Sequence, residues 1–141
     1  MTTIIAHRTH EWHMGHRVFE HESKCQHLHG HSYVATLHVR APALDRLGRV
    51  MDFSVIKEKL VNWIEDNWDH KFMVFDKDPL ATPLLAADPI GVIKVGFNPT
   101  AENIAEFLLT VVGPNQLAGT EVKLVKVELM ETGKCGVVVT L

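Results

Sequence analysis

Residues 24–40 read KCQHLHGHSYVATLHVR, and they contain the clearest strand pattern in the chain. From Tyr33 onward, apolar residues stand at every second position as far as Val39. Because successive side chains of a strand point to opposite faces of a sheet, this spacing predicts a strand over residues 32–40 with one apolar face. The histidine-rich first half of the stretch therefore leads into a strand of the hydrophobic core.

His29 and His31 continue the spacing of this apolar face, and Gly30 between them permits close approach of another backbone. Two imidazoles at the end of an apolar face are poorly explained as solvated residues, but they could bind one metal ion. His16 is the candidate third ligand, because it ends the apolar face of the preceding strand, which is predicted over residues 3–16. Three neutral imidazoles with an open fourth position are typical of a catalytic zinc site, whereas magnesium and calcium prefer oxygen ligands. The alternative is that all three are ordinary surface or core histidines.

Cys25 lies shortly before the histidine pair and directly follows Lys24. A zinc ion and cationic neighbours favour the thiolate form of a cysteine, which can act as a base or a nucleophile. Two alternatives stay open: Cys25 could be a small buried apolar residue, or a fourth zinc ligand that closes the site. Nine of the ten histidines lie in residues 7–38. Five of these nine are interpreted as surface or loop residues: His7, His10, His13, His21 and His27.

Three residues far from this region are further site candidates. Asp69 and His70 could form a carboxylate–imidazole pair that supports a nucleophile. The alternative is a histidine at the C-terminus of a helix, where the dipole favours its charge. Glu131 shares the spacing of the apolar face of a strand over residues 121–131, where it needs a partner such as a ligand that offers two N–H donors. The alternative for Glu131 is a solvated position at a hairpin.

Two helices are predicted from apolar residues that recur three and four positions apart. The first is capped by Asp52 or Ser54, and the second by Thr100, with Glu102 in its first turn. The second helix is expected to end at the Gly-Pro pair of residues 113–114. The apolar stripes contain Ile56, Leu60, Trp63 and Ile64 in the first helix, and Ile104, Leu108, Val111 and Val112 in the second.

Strands dominate both ends of the chain. Residues 76–91 contain three prolines and are expected to be irregular. Most connections suit antiparallel neighbours, so we expect an α+β fold in which the two helices pack on one face of an antiparallel sheet. A length of 141 residues suits a single domain over residues 1–141. The strands are predicted over residues 3–16, 32–40, 50–53, 91–97, 121–131 and 135–141.

The composition argues against two classes of partner. The net charge is -3 with histidine neutral, so no basic field favours nucleic acid. No apolar run approaches the roughly 20 residues that cross a bilayer, and the N-terminal residues lack the apolar core of a signal peptide. We therefore expect a cytoplasmic protein without membrane contact, in which Cys25 and Cys135 are free thiols.

Six motifs give the sequence a close resemblance to the 6-pyruvoyl-tetrahydropterin synthase and 6-carboxy-tetrahydropterin synthase family. HGH alone is a weak signal, but the six together, in family order and nearly end to end, are highly specific. The motifs are WHMGHRV (12–18), KCQHLHGHSY (24–33), VMDFSVIK (50–57), WDHKF (68–72), NPTAEN (98–103) and ELMET (128–132).

The resemblance implies a role for each candidate residue. It implies that His16, His29 and His31 are zinc ligands. It implies that Cys25 is catalytic and that Asp69 and His70 form the pair that supports it. It also implies that Glu131 anchors the pterin ring and that Thr100 and Glu102 help to line the pterin pocket. It also implies the tunnelling fold, whose subunits form trimers that stack into hexamers with active sites between subunits.

The implied substrate is 7,8-dihydroneopterin triphosphate, from which the family eliminates triphosphate. In the carboxy branch, acetaldehyde is also released, and 6-carboxy-5,6,7,8-tetrahydropterin is formed on the route to queuosine and related 7-deazaguanines. We favour this branch because the chain is short, simple and without targeting signals. The alternatives are a 6-pyruvoyl-tetrahydropterin synthase and, in another class, a non-catalytic zinc-binding assembly protein on the same fold.

Overall fold

A computed structural model describes residues 1–141 and contains one six-stranded sheet. The strands are β1 (Ala6–His16), β2 (His29–Arg40), β3 (Phe72–Phe75), β4 (Val92–Val95), β5 (Lys123–Met130) and β6 (Gly136–Thr140). Their order across the sheet is β4-β3-β1-β2-β5-β6. The two strands that carry the predicted metal ligands, β1 and β2, therefore lie at the centre of the sheet.

Three helices connect these strands. α1 covers residues 53–67, α2 is Ala81–Ala87, and α3 covers residues 101–116. α1 and α3 each contain one wider turn, at Lys57–Val61 and Leu108–Val112, after which an N–H donates to the carbonyl five residues earlier. None of the helices is long and apolar enough to cross a membrane.

The predicted α+β class is confirmed, and the sheet is mixed rather than wholly antiparallel. β1 and β2 pair antiparallel over eleven positions, and β5 and β6 extend the sheet in the same manner. β3, however, is parallel to both of its neighbours, β1 and β4. The prediction of an antiparallel sheet is wrong at this edge, because the connection between β3 and β4 crosses over through α2 and returns in the same direction.

α1 and α3 pack on one face of the sheet, as predicted. A single buried cluster joins both helices to the apolar sides of β1, β2 and β5. Val111 is 39% exposed, so its assignment to the apolar stripe of the second helix is wrong. The largest fully buried side chains of the cluster include Trp12, Tyr33, Leu37, Ile56, Leu60, Ile64, Ile104, Leu108 and Leu129.

α2 is an unpredicted third helix on the opposite face of the sheet. Its Ala81 packs with Val74 and Val92 in a separate small cluster, whereas Met73, which points the other way on β3, belongs to the main core. Residues 76–91 are therefore not wholly irregular. Pro83 is compatible with α2 because it stands in the first turn, where no intrahelical partner is needed for its missing N–H.

Two predicted boundaries are also wrong. Residues 50–53 form no strand, because α1 begins at Phe53 behind the predicted cap Asp52, whose Oδ1 accepts from the Ser54 N–H at 2.8 Å. The Gly-Pro pair at 113–114 does not end α3, which continues to Gln116. The wider turn before this pair accommodates Pro114, which has no N–H to donate.

Strand register brings three chain segments together at one end of the sheet. His16, the last residue of β1, lies opposite His29, the first residue of β2. Met130, the last residue of β5, lies opposite Val34 on the other side of β2. Glu131 therefore follows directly beside the histidine-bearing start of β2.

Candidate metal centre and active site

The three predicted metal ligands converge on one point. His16, His29 and His31 project from the same face of the sheet, and their ligand atoms all lie within 4.8 Å of one another. The His16 ring centroid is 4.7 Å from that of His29 and 5.1 Å from that of His31. His16 is fully buried, and the other two are partly buried. The exact two-residue period of the strands produces this arrangement.

Backbone carbonyls orient two of these rings. His16 Nδ1 donates to the Pro99 carbonyl at 2.6 Å, and His29 Nδ1 donates to the His27 carbonyl at 2.7 Å. Because a carbonyl only accepts, both rings carry their proton on Nδ1, and each Nε2 presents a lone pair. The Nε2 atoms of all three histidines are buried without a hydrogen-bond partner. Unpaired buried acceptors that point at one another are what a metal ion would satisfy.

Burial favours the neutral form of His16 and His31. Desolvation lowers the pKa of His16 to about 4; the Pro99 hydrogen bond opposes this shift, and the charges of His29 and His31 add to it. The pKa of His31 is also lowered, first by desolvation, while the Glu131 carboxylate opposes the shift. A neutral imidazole is the form that binds metal, so the lowered pKa values of His16 and His31 favour metal binding near neutral pH.

Glu131 faces this triad from the end of β5. Its Oε1 lies 3.3 Å from His16 Nε2 and 3.6 Å from His31 Nε2, and a quarter of its side chain is exposed. The predicted projection of Glu131 from the apolar face is therefore confirmed. Tyr33 lies beneath it, and its pKa is raised by burial, by the negative charge of Glu131 and, to a smaller extent, by Cys25.

Cys25 lies close enough to Tyr33, which packs beside His31, for its charge to act on the pKa of that tyrosine. Cys25 stands in a single helical turn, Lys24–Gln26, between β1 and β2. Its carbonyl accepts from the Val18 N–H at 2.9 Å, which ties this turn to the segment that follows His16. The thiol is partly buried and forms no disulfide, as predicted.

Asp69 and His70 form a bonded pair away from Cys25. His70 adopts a left-handed backbone with φ of 61°, and this geometry lets its Nδ1 reach Asp69 Oδ2 at 2.9 Å. Desolvation would raise the pKa of Asp69, but hydrogen bonds from the His13 N–H and from His70 outweigh it and hold the pKa below its usual value. The pair lies beside His13, whose side chain points to the face opposite the triad, and no contact joins it to Cys25 within one chain.

The two remaining candidates stand at the start of α3. Thr100 caps the helix, since its Oγ1 accepts from the Asn103 N–H at 3.2 Å, and Glu102 occupies the exposed first turn. Neither side chain contacts the triad; the residue of this segment that does so is Pro99, through its carbonyl. The sequence motif NPTAEN marked the segment, but a backbone carbonyl carries no side-chain signal that could have identified Pro99.

His10, interpreted as a surface or loop residue, is partly buried in the structure. His10 shares the inward face of β1, and its buried Nε2 lies 2.5 Å from Glu65 Oε1 on α1. Its ring stacks on Trp12, with the centroids 6.4 Å apart. The interpretation of His10 as a surface residue is therefore wrong, because its spacing follows Trp12 and His16 rather than the exposed face.

These features define an α+β protein with a three-histidine cluster that could hold a metal ion, at one end of a central strand pair. The comparisons with known proteins give the family. The sequence profile described as 6-pyruvoyl tetrahydropterin synthase matches residues 5–140, and the chain belongs to this family.

Curated relatives cover most of the chain. The "6-carboxy-5,6,7,8-tetrahydropterin synthase" of Rickettsia conorii is 35% identical over 126 residues, which are 89% of this chain and 91% of that protein. A protein of the same name from Aquifex aeolicus is 40% identical over 117 residues, covering 78% of this chain and 72% of its own length.

Solved structures share the fold. An uncharacterized protein from Wolinella succinogenes superposes with a TM-score of 0.85 at 25% identity and covers 99% of both chains. The 6-pyruvoyl tetrahydropterin synthase of Caenorhabditis elegans superposes with a TM-score of 0.72 at 19% identity, covering 100% of this chain and 97% of that one. The fold of this family is therefore also the fold of this chain.

Proposed function

We propose that this protein is a zinc-dependent 6-carboxy-5,6,7,8-tetrahydropterin synthase. It converts 7,8-dihydroneopterin triphosphate and water to 6-carboxytetrahydropterin, triphosphate and acetaldehyde, in the biosynthesis of queuosine and related 7-deazaguanines. The observation that carries the proposal is the convergence of three buried, unpaired Nε2 atoms at the end of the central strands. The names of the curated relatives favour the carboxy product over the pyruvoyl product.

His16, His29 and His31 are the residues that would hold the zinc ion. Three imidazole nitrogens with an open fourth position suit zinc in a catalytic site. When bound, zinc supplies the positive charge that polarises hydroxyl and carbonyl oxygens of the substrate side chain. The carbonyls of Pro99 and His27 keep two of the ligands in the required tautomer.

Cys25, as thiolate, takes a proton from a carbon atom of the substrate side chain. His70 passes this proton on, and Asp69 orients the His70 ring through the bond between Nδ1 and Oδ2. Because Cys25 and this pair do not meet within one chain, we assign the pair at each site to a neighbouring subunit. This assignment fits a hexamer made of two trimers, with active sites between subunits.

Glu131 provides the carboxylate that binds the N–H donors of the pterin ring. It stands within reach of the metal centre, as a substrate that spans ring and side chain requires. Thr100 and Glu102 belong to the segment that lines the ring pocket, with Thr100 acting through the cap of α3.

A product assay tests the proposal. Purified protein with zinc, given 7,8-dihydroneopterin triphosphate, is expected to release triphosphate and acetaldehyde together. Cys25→Ala should abolish both products while zinc content stays unchanged, and Cys135→Ala, at the exposed second cysteine, should keep them. Triphosphate without acetaldehyde would identify the pyruvoyl reaction instead. Zinc binding with no triphosphate release would identify a non-catalytic zinc-binding protein.

A further inference from the structure

The contact between Glu131 and the histidine triad is not explained by a role in holding the pterin ring. Because His16 donates its Nδ1 proton to Pro99, its Nε2 carries a lone pair, and Glu131 Oε1 faces this lone pair at 3.3 Å. The Nε2 atoms of His16 and His31 have no hydrogen-bond partner. A carboxylate oxygen and a nitrogen lone pair repel each other unless a proton or a metal cation lies between them.

The spacing of these atoms fits a shared metal ion. In a tetrahedral zinc site with bonds of roughly 2.0–2.1 Å, neighbouring ligand atoms lie about 3.3–3.4 Å apart. Glu131 Oε1 is 3.3 Å from His16 Nε2 and 3.6 Å from His31 Nε2. The oxygen therefore stands near ligand-to-ligand distance from two of the three imidazoles.

We propose that Glu131 is a metal ligand in the substrate-free protein and leaves the metal when a pterin binds. The carboxylate fills the open position until the hydroxyls of the pterin side chain replace it, and it then accepts from the N–H donors of the ring. This inference rests on the proposed function for the identity of the incoming ligand. Because of this exchange, a coordination position on the metal becomes free only when the protein binds the pterin ring. A molecule that offers hydroxyls alone therefore leaves Glu131 bound to the metal.

Cobalt-substituted protein gives a direct readout, because the visible absorption of Co²⁺ depends on the number and type of its ligands. In the free protein, Glu131→Ala and Glu131→Gln should both change the cobalt spectrum relative to wild type. Glu128→Gln is the matched control, since Glu128 lies three residues before Glu131 and binds His38 away from the triad. The spectrum of this variant should not change. Chelator competition should show that zinc binds roughly 10- to 100-fold more weakly to both Glu131 variants than to wild type.

Neopterin and glycerol separate ring recognition from hydroxyl binding. Neopterin should change the spectrum of the wild-type cobalt protein and bring it close to that of Glu131→Ala with neopterin. Glycerol at the same concentration offers adjacent hydroxyls without a ring, and it should leave the wild-type spectrum unchanged. Equal thermal unfolding of the metal-free proteins would show that both Glu131 variants keep the fold.

Superimposable cobalt spectra of free wild type and Glu131→Ala, with equal zinc affinity, would overturn the inference. A wild-type spectrum that ignores neopterin, or that responds equally to glycerol, would overturn the exchange. These measurements need no turnover, so they are independent of the proposed reaction. A protein that releases no triphosphate but shows the expected cobalt spectra would refute the function and keep the ligand role.

Discussion

The metal centre and the Asp69–His70 pair differ in how much of their environment one chain provides. His16 is fully buried, and its ring is fixed by a carbonyl from the start of α3. The His70 side chain is 76% exposed, and it contacts Asp69 and the edge of the His13 ring. The three candidate metal ligands thus all come from one chain, whereas most of the His70 side chain is open to solvent.

Mixing of variant subunits tests whether the Asp69–His70 pair serves the active site of a neighbouring subunit, and it has the largest expected effect. Cys25→Ala and His70→Ala should each lower the rate of triphosphate release by about 10²- to 10⁴-fold, the usual contribution of an acid–base group. If each site combines groups of two subunits, chance assembly of both variants in one oligomer restores an intact site in about a quarter of cases. Co-expressed, differently tagged subunits should therefore recover about a quarter of wild-type activity. Hybrids as inactive as the parents would show that the pair serves the Cys25 of its own chain.

The pH dependence of the free energy of unfolding tests the burial of His16 in the triad. In metal-free protein, the pKa of His16 is about 4 when folded and near 6.5 when unfolded. The unfolded chain therefore gains a proton first as pH falls. The contribution of neutral His16 to the free energy of unfolding is fully present above about pH 6.5 and is lost as pH falls toward 4. The expected loss is on the order of 3 kcal/mol, with His31 contributing in the same direction.

Urea unfolding of metal-free protein between pH 7 and pH 4 measures this loss. His16→Gln should remove most of the dependence over this range. His27→Ala is the control, because its side chain is exposed and only its carbonyl supports the triad. A dependence that persists in His16→Gln would contradict the assignment.

For the exposed residue His70, we expect a smaller effect on the free energy of unfolding. A residue with a side chain in the left-handed region costs about 1 kcal/mol relative to glycine, and His70 has φ of 61°. His70→Gly should therefore be more stable than His70→Ala by about 1 kcal/mol in urea unfolding. Both variants lose the imidazole, so both should be equally inactive. Equal stability of the two would show that the backbone at this position relaxes without its side chain.

Strand parity explains why the triad could be predicted and its surroundings could not. The two-residue period of a strand is exact, so the inward direction of His29 and His31 follows from the residues around Tyr33. β3 was missed because its four residues, FMVF, are apolar on both faces and show no alternation. The helix beyond it was missed because prolines normally indicate irregular structure.

Contacts made by the backbone were also beyond the reach of the sequence. The carbonyls of Pro99 and His27 orient two metal ligands, and any residue type could supply them. The bond between Asp69 and His70 depends on one left-handed residue at the end of α1, which a pattern of residue types does not reveal. The sequence motifs identified these residues, but the directions in which their side chains point could be determined only from the structure.

The hydrogen bond from His16 to Pro99 also bears on the order of events during folding. The two residues are 83 positions apart, so this bond closes a loop that includes α1, β3, α2 and β4. The hairpin of β1 and β2 is local and brings the three histidines near one another early. His16 is correctly turned only after the start of α3 has docked against it. Tight metal uptake is therefore expected as a late step, one that reports that the chain has finished folding.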